Sequence, residues 1–122
     1  MSSKPKGPVT SAVLSPAEAI TLFESAVKSE PTAPNYLELG AAYYVAHRWD
    51  DALSTFEKTI QLDPRQAYAY YYLGVLYAAK GMRDKANDAL NHLLQTTTNQ
   101  MLKEQAQTRI PNVNSEADLS SN

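Results

Sequence analysis

Few side chains in this sequence could carry acid–base or metal chemistry, and they do not converge. The chain has two histidines, His47 and His92, and no cysteine. His47 falls at a turn and His92 on a solvated helix face, whereas a metal needs several ligands held together. The pairs Asp50-Asp51 and Asp84/Asp88 stand where helices begin, and a carboxylate there favours the helix dipole. No phosphate-cradling glycine loop and no nucleophile motif is present. A net charge of −2 argues against nucleic acid, because phosphate binding needs a basic face. The sequence therefore predicts no enzyme, no cofactor and no metal. What remains is the chemistry of contact: eight tyrosines, each offering a broad ring and one orienting hydroxyl.

A repeat positions those tyrosines. Residues 33 to 64 read APNYLELGAAYYVAHRWDDALSTFEKTIQLDP, and residues 67 to 98 read AYAYYYLGVLYAAKGMRDKANDALNHLLQTTT. Sliding one over the other by 34 positions puts Tyr36 on Tyr70, Leu39 on Leu73, Gly40 on Gly74, Tyr43 on Tyr77 and Ala52 on Ala86. Phe56 then falls on Leu90 and Ile60 on Leu94. A period of this size marks stacked helical hairpins. Apolar spacing and cap residues predict helices over about 16–30, 34–46, 50–62, 65–80, 84–95 and 100–109.

Local signals sharpen those boundaries. Ser15-Pro16-Ala17-Glu18 reads as a capping box with proline at the first helical position. Asp50 is the expected N-cap of the third helix. Gly81 sits where a helix end needs a left-handed residue, and His47 holds the same place less comfortably. Gly40 and Gly74 lie inside helices, where glycine costs about 0.5–1 kcal/mol against alanine. A close helix approach is expected to offset that cost, with Ala52 and Ala86 as the small residues meeting the glycines.

The domain plan follows. Residues 1–14 are expected to be a flexible arm and residues 111–122 a disordered tail. Between them, residues 15–110 divide into a half repeat (15–31), two repeats (33–66 and 67–100) and a capping helix (100–110). No apolar run approaches the roughly 18 residues of a membrane span. No apolar stretch follows Lys4 and Lys6 as in a signal peptide, and the expected location is cytoplasmic.

The pattern Tyr36, Leu39, Gly40, Tyr43, Ala52, Phe56 and Pro64 closely resembles the tetratricopeptide repeat. The second unit matches it at Tyr70, Leu73, Gly74, Tyr77 and Ala86, and departs at Leu90 and Thr98, where the family usually has an aromatic residue and proline. The first helix matches only the second half of a repeat, at Ala19, Phe23, Ala26 and Pro31, after a segment rich in helix breakers. The resemblance implies an all-α fold of antiparallel helical hairpins, stacked as a short right-handed solenoid with a C-terminal capping helix. It also implies a protein-interaction module, an adaptor or scaffold, because the family is defined by packing residues and holds many unrelated partners.

In that family the first helices of successive repeats line the concave face. By repeat position the face here takes Leu37, Ala41 and Tyr44 from the first hairpin, and Tyr68, Tyr71, Tyr72, Val75 and Ala79 from the second. Tyr36, Tyr43, Tyr70 and Tyr77 belong to the repeat itself, so Tyr44, Tyr68, Tyr71 and Tyr72 are surplus. The expected partner is a protein or peptide with apolar or aromatic residues. A clamp for a C-terminal carboxylate, which uses Lys, Asn and Arg on this face, is not expected from Leu37, Ala41, Tyr68 and Tyr72. Trp49 is expected to pack rather than to touch a partner. The competing readings are that single tyrosines pack on the first or last helix, or that the strip is covered in a homo-oligomer. A self-assembling structural protein and a chaperone shielding an apolar client are the functional alternatives. The open face of the first helix awaits a helix from elsewhere, a second copy, or residues 9–14.

Overall fold

A computed structural model of the chain describes residues 13–109. The expected arm up to residue 12 and the expected tail lie outside the described residues. Five helices, α1 (Pro16–Ser29), α2 (Ala33–Val45), α3 (Trp49–Leu62), α4 (Ala67–Ala79) and α5 (Arg83–Thr96), are followed by α6 over residues 100–109. The fold is an all-α helical-repeat solenoid, with no strand among the described residues. Each helix packs on the next from α1 to α5. α1, α3 and α5 have 14 residues each, and α2 and α4 have 13.

The helix ends explain this regularity. At α1 the Ser15 hydroxyl accepts the Glu18 N–H at 3.1 Å, while the Glu18 carboxylate accepts the Ser15 N–H at 2.9 Å, closing the expected box. The ends of α2 and α4 are one motif used twice. His47 (φ 63°) and Gly81 (φ 79°) adopt the left-handed conformation. Behind them, the Arg48 N–H reaches the Tyr43 carbonyl at 2.9 Å and the Met82 N–H reaches that of Tyr77 at 2.8 Å. These are Schellman closures. The tight reversal brings α3 in one residue early: Trp49 is its first residue and Arg48 its N-cap, with no side-chain cap bond. Asp50 is therefore not the N-cap. It stands in the first turn with Asp51, whose carboxylate holds Arg48 at 2.7 Å.

The core is built around the two helical glycines, but not by small residues meeting small residues. A Cβ on Gly40 would lie 2.6 Å from Phe56 Cε1, and one on Gly74 would lie 2.6 Å from Leu90 Cδ2. Ala52 and Ala86 are fully buried, yet neither supplies the atoms nearest the glycines. A large side chain fills the groove that each missing Cβ opens, which preserves close packing. Burying a Phe or Leu in this way contributes roughly 1.5–3 kcal/mol.

Successive units are joined by a polar link that also repeats. The Tyr43 hydroxyl donates to Glu24 Oε2 at 2.7 Å, and the Tyr77 hydroxyl donates to Glu57 Oε2 at 2.6 Å. Burial first, and then the carboxylate that each hydroxyl bonds, push the Tyr43 pKa up to about 12 and raise that of Tyr77 further. At the far end the Asn99 side chain caps α6 by accepting the Leu102 N–H at 3.1 Å. Leu102 and Ala106 are buried while most of that helix is exposed, as befits a helix closing a stack.

Candidate partner-binding face

The face is rooted in the hairpin core. Because Gly40 lets Phe56 in close, the Phe56 ring is presented to α4, where Tyr72 stacks flat upon it (centroids 4.6 Å apart, planes at 6°). From Tyr72 a run of rings crosses to the α2–α3 turn. Tyr44 lies 5.1 Å from Tyr72, Trp49 lies 5.3 Å from Tyr44 nearly edge-on, and His47 stacks on Trp49 at 5.0 Å. On the other side Tyr71 meets Tyr72 edge-on at 6.1 Å. Offset and edge-to-face arrangements of this kind are the favoured ones for aromatic pairs. Burial, followed by the neighbouring Tyr44 and Tyr71, raises the Tyr72 pKa.

The run ends in a cavity of about 690 Å³, within the range of roughly 300–1,000 Å³ found for ligand pockets. Tyr44, Trp49 and His47 form one wall, and Val75, Leu76 and Ala79 of α4 form the other. The charges at its rim are paired with each other. Lys80 Nζ lies 2.7 Å from Asp50 Oδ1, and Arg48 is bound to Asp51. The cavity thus offers apolar and ring surface without an uncompensated charge. Among the described residues, no group of three His, Cys, Asp or Glu side chains is placed to hold a metal ion.

The structure separates the eight residues chosen from sequence into three groups. Tyr44, Val75 and Ala79 line this cavity, and Tyr72 adjoins it through Tyr44. Tyr68 and Tyr71 turn toward the C-terminal segment: the Tyr68 hydroxyl accepts from Asn99 Nδ2 at 3.4 Å, and that of Tyr71 from Arg109 Nε at 2.8 Å. Tyr68 nevertheless keeps 47% of its surface exposed. Leu37 packs against the core, and Ala41 borders a different depression, between α2 and α1. Trp49, expected to pack, is 44% exposed and stands in the cavity wall. The signal that could have found it is an aromatic residue of the largest kind in an otherwise polar turn.

The comparisons with known proteins agree with this architecture. A family model described as a TPR repeat matches residues 47–81, and one described as a tetratricopeptide repeat matches residues 68–96. Interferon-induced protein with tetratricopeptide repeats 2 from Cricetulus griseus is 35% identical over 60 residues, 48% of this chain. The matched segment is only 13% of that protein's length. Among solved structures, the TPR domain of P58(IPK) superposes with a TM-score of 0.83 at 21% identity, over 87% of this chain and 30% of that one. The first TPR domain of Spaghetti (RPAP3), bound to the HSP90 peptide SRMEEVD, gives 0.76 at 16% identity, over 84% and 80%. The type III secretion chaperone SycD of Yersinia enterocolitica, in complex with a peptide of the translocator YopD, gives 0.72 at 16% identity, over 88% and 82%. Repeat period, helix order, glycine packing and these matches agree: the chain carries tetratricopeptide repeats, matched by the family models over residues 47–96.

Proposed function

We propose that this chain is a protein-interaction module that holds a segment of a partner protein along the ring run from Tyr72 through Tyr44 to Trp49. The observation that carries the reading is the continuity of that run into a cavity whose charges are already paired. Such a surface favours an uncharged aromatic or large aliphatic side chain as the anchor, with Tyr hydroxyls orienting the peptide. Two structural relatives are described with peptides bound, which supports peptide capture as a use of this fold. An acidic peptide such as SRMEEVD would require free cations, whereas Arg48 and Lys80 are engaged by Asp51 and Asp50.

Trp49 is the single tryptophan, so its emission reports directly on the cavity. Peptides selected from a random display library should be enriched in Phe, Trp or Leu and should change Trp49 fluorescence on titration. Tyr44→Ala should weaken them about tenfold or more, the effect of losing one hot-spot contact. Selected peptides that bind without altering Trp49 emission, and equally well to Tyr44→Ala, would place the interaction elsewhere.

A further inference from the structure

Among the described residues, α1 lacks a neighbour that its two counterparts possess. α1, α3 and α5 start 33 and 34 residues apart and have equal length. Glu24 of α1 takes the Tyr43 hydroxyl as Glu57 of α3 takes that of Tyr77. α1 therefore occupies the second-helix place of a hairpin.

The consequence can be followed position by position. Phe56 and Leu90 are fully buried, as are Thr59 and Leu93, while the matching Phe23 and Ala26 of α1 are only half-buried. Thr55 and Ala89 are buried, but the matching Leu22 is 52% exposed. A depression of about 260 Å³ lies beside Phe23, between α1 and α2, with Glu38 at its rim.

We propose that this slot receives an amphipathic helix of another protein, one that places glycine over Phe23. The two complete hairpins specify that occupant. In each, the side chain at the Phe23 place lies under a glycine so close that a Cβ would stand 2.6 Å away. The glycine is preceded by a buried leucine and followed three residues later by tyrosine (Leu39-Gly40 with Tyr43, Leu73-Gly74 with Tyr77). Glu38 adds a preference for a basic residue at the rim. The slot is separate from the Trp49 cavity, so this inference does not depend on the function proposed above.

The test uses the full isotope-labelled chain and, as probe, a peptide of residues 32–46 of this same sequence, a free copy of α2. Resonances of Leu22, Phe23 and Ala26 should shift saturably with the peptide. A Gly40→Leu version of the peptide should bind about tenfold more weakly or worse, because the added side chain overpacks the crossing. Leu22→Arg in the protein should abolish binding at an unchanged melting temperature, since Leu22 is already half in water, and Trp49→Phe should leave binding unaltered. Shifts confined to the Trp49 cavity would overturn the proposal. So would a Phe23 ring shielded from a soluble paramagnetic probe before any peptide is added. Shielding at all dilutions would assign the slot to residues 1–12, and shielding only at high concentration would assign it to a second copy.

Discussion

Tyr43 and Tyr77 each bring a phenol to a carboxylate in a half-buried place, and that choice has a pH signature. Burial and then Glu24 hold the Tyr43 proton on, up to about pH 12, above the ordinary tyrosine value near 10. The folded-state pKa is raised, so the link stabilises fully below pH 10, and the contribution is lost as pH rises through 12. Urea unfolding across that window should show stability falling, and the Tyr43→Phe/Tyr77→Phe variant should remove the extra slope. At neutral pH each Tyr→Phe change alone should cost about 1 kcal/mol, the net worth of a typical hydrogen bond. The glycines give a second residue-scale test. Gly74→Leu should lower stability by about 1–3 kcal/mol in thermal melts, because even its Cβ would lie 2.6 Å from Cδ2 of the fully buried Leu90. The position of both glycines could be read from sequence because an interior glycine is costly and here occurs twice in register. Their contacts could not: spacing tells which face is buried, not whether a methyl or a ring arrives there. That is why Ala52 and Ala86 were the expected partners, and Phe56 and Leu90 are the actual ones.

At the scale of elements, the two hairpin turns share one geometry but not one residue. Gly81 meets nothing within 4 Å at the position of a Cβ, so Gly81→Ala isolates the conformational term. It should destabilise by about 1 kcal/mol through the left-handed backbone alone, measured by denaturant titration with an unchanged m-value. In the first turn His47 accepts that strain, and its ring is carried onto Trp49. The helix starts were legible where a side chain caps them, as at Ser15. They were misread where the preceding turn does the capping, as at Arg48, because an acidic pair in a first turn looks like a cap. The candidate face was legible in part for a similar reason. Repeat position places Tyr44, Val75 and Ala79 beside one another. It says nothing of α6, whose Asn99 and Arg109 draw Tyr68 and Tyr71 aside.

Across the whole molecule, each helix from α1 to α5 leans on its sequence neighbours, so stability is shared along a line rather than around a centre. Amide exchange should accordingly be slowest in α3 and α4 and fastest in α1 and α6, which among the described residues have a helix on one side only. Uniform protection across all six would contradict that picture. The tyrosine–glutamate joint carries one more implication. Glu24 and Glu57 hold the same place within α1 and α3, and that place in α5 is held by Asn91, an exposed amide. Anyone wishing to lengthen the array by genetic fusion would find the coupling absent at this end. Asn91→Glu, together with a tyrosine at the corresponding place of the appended helix, is the change that would let a further module lock on in register.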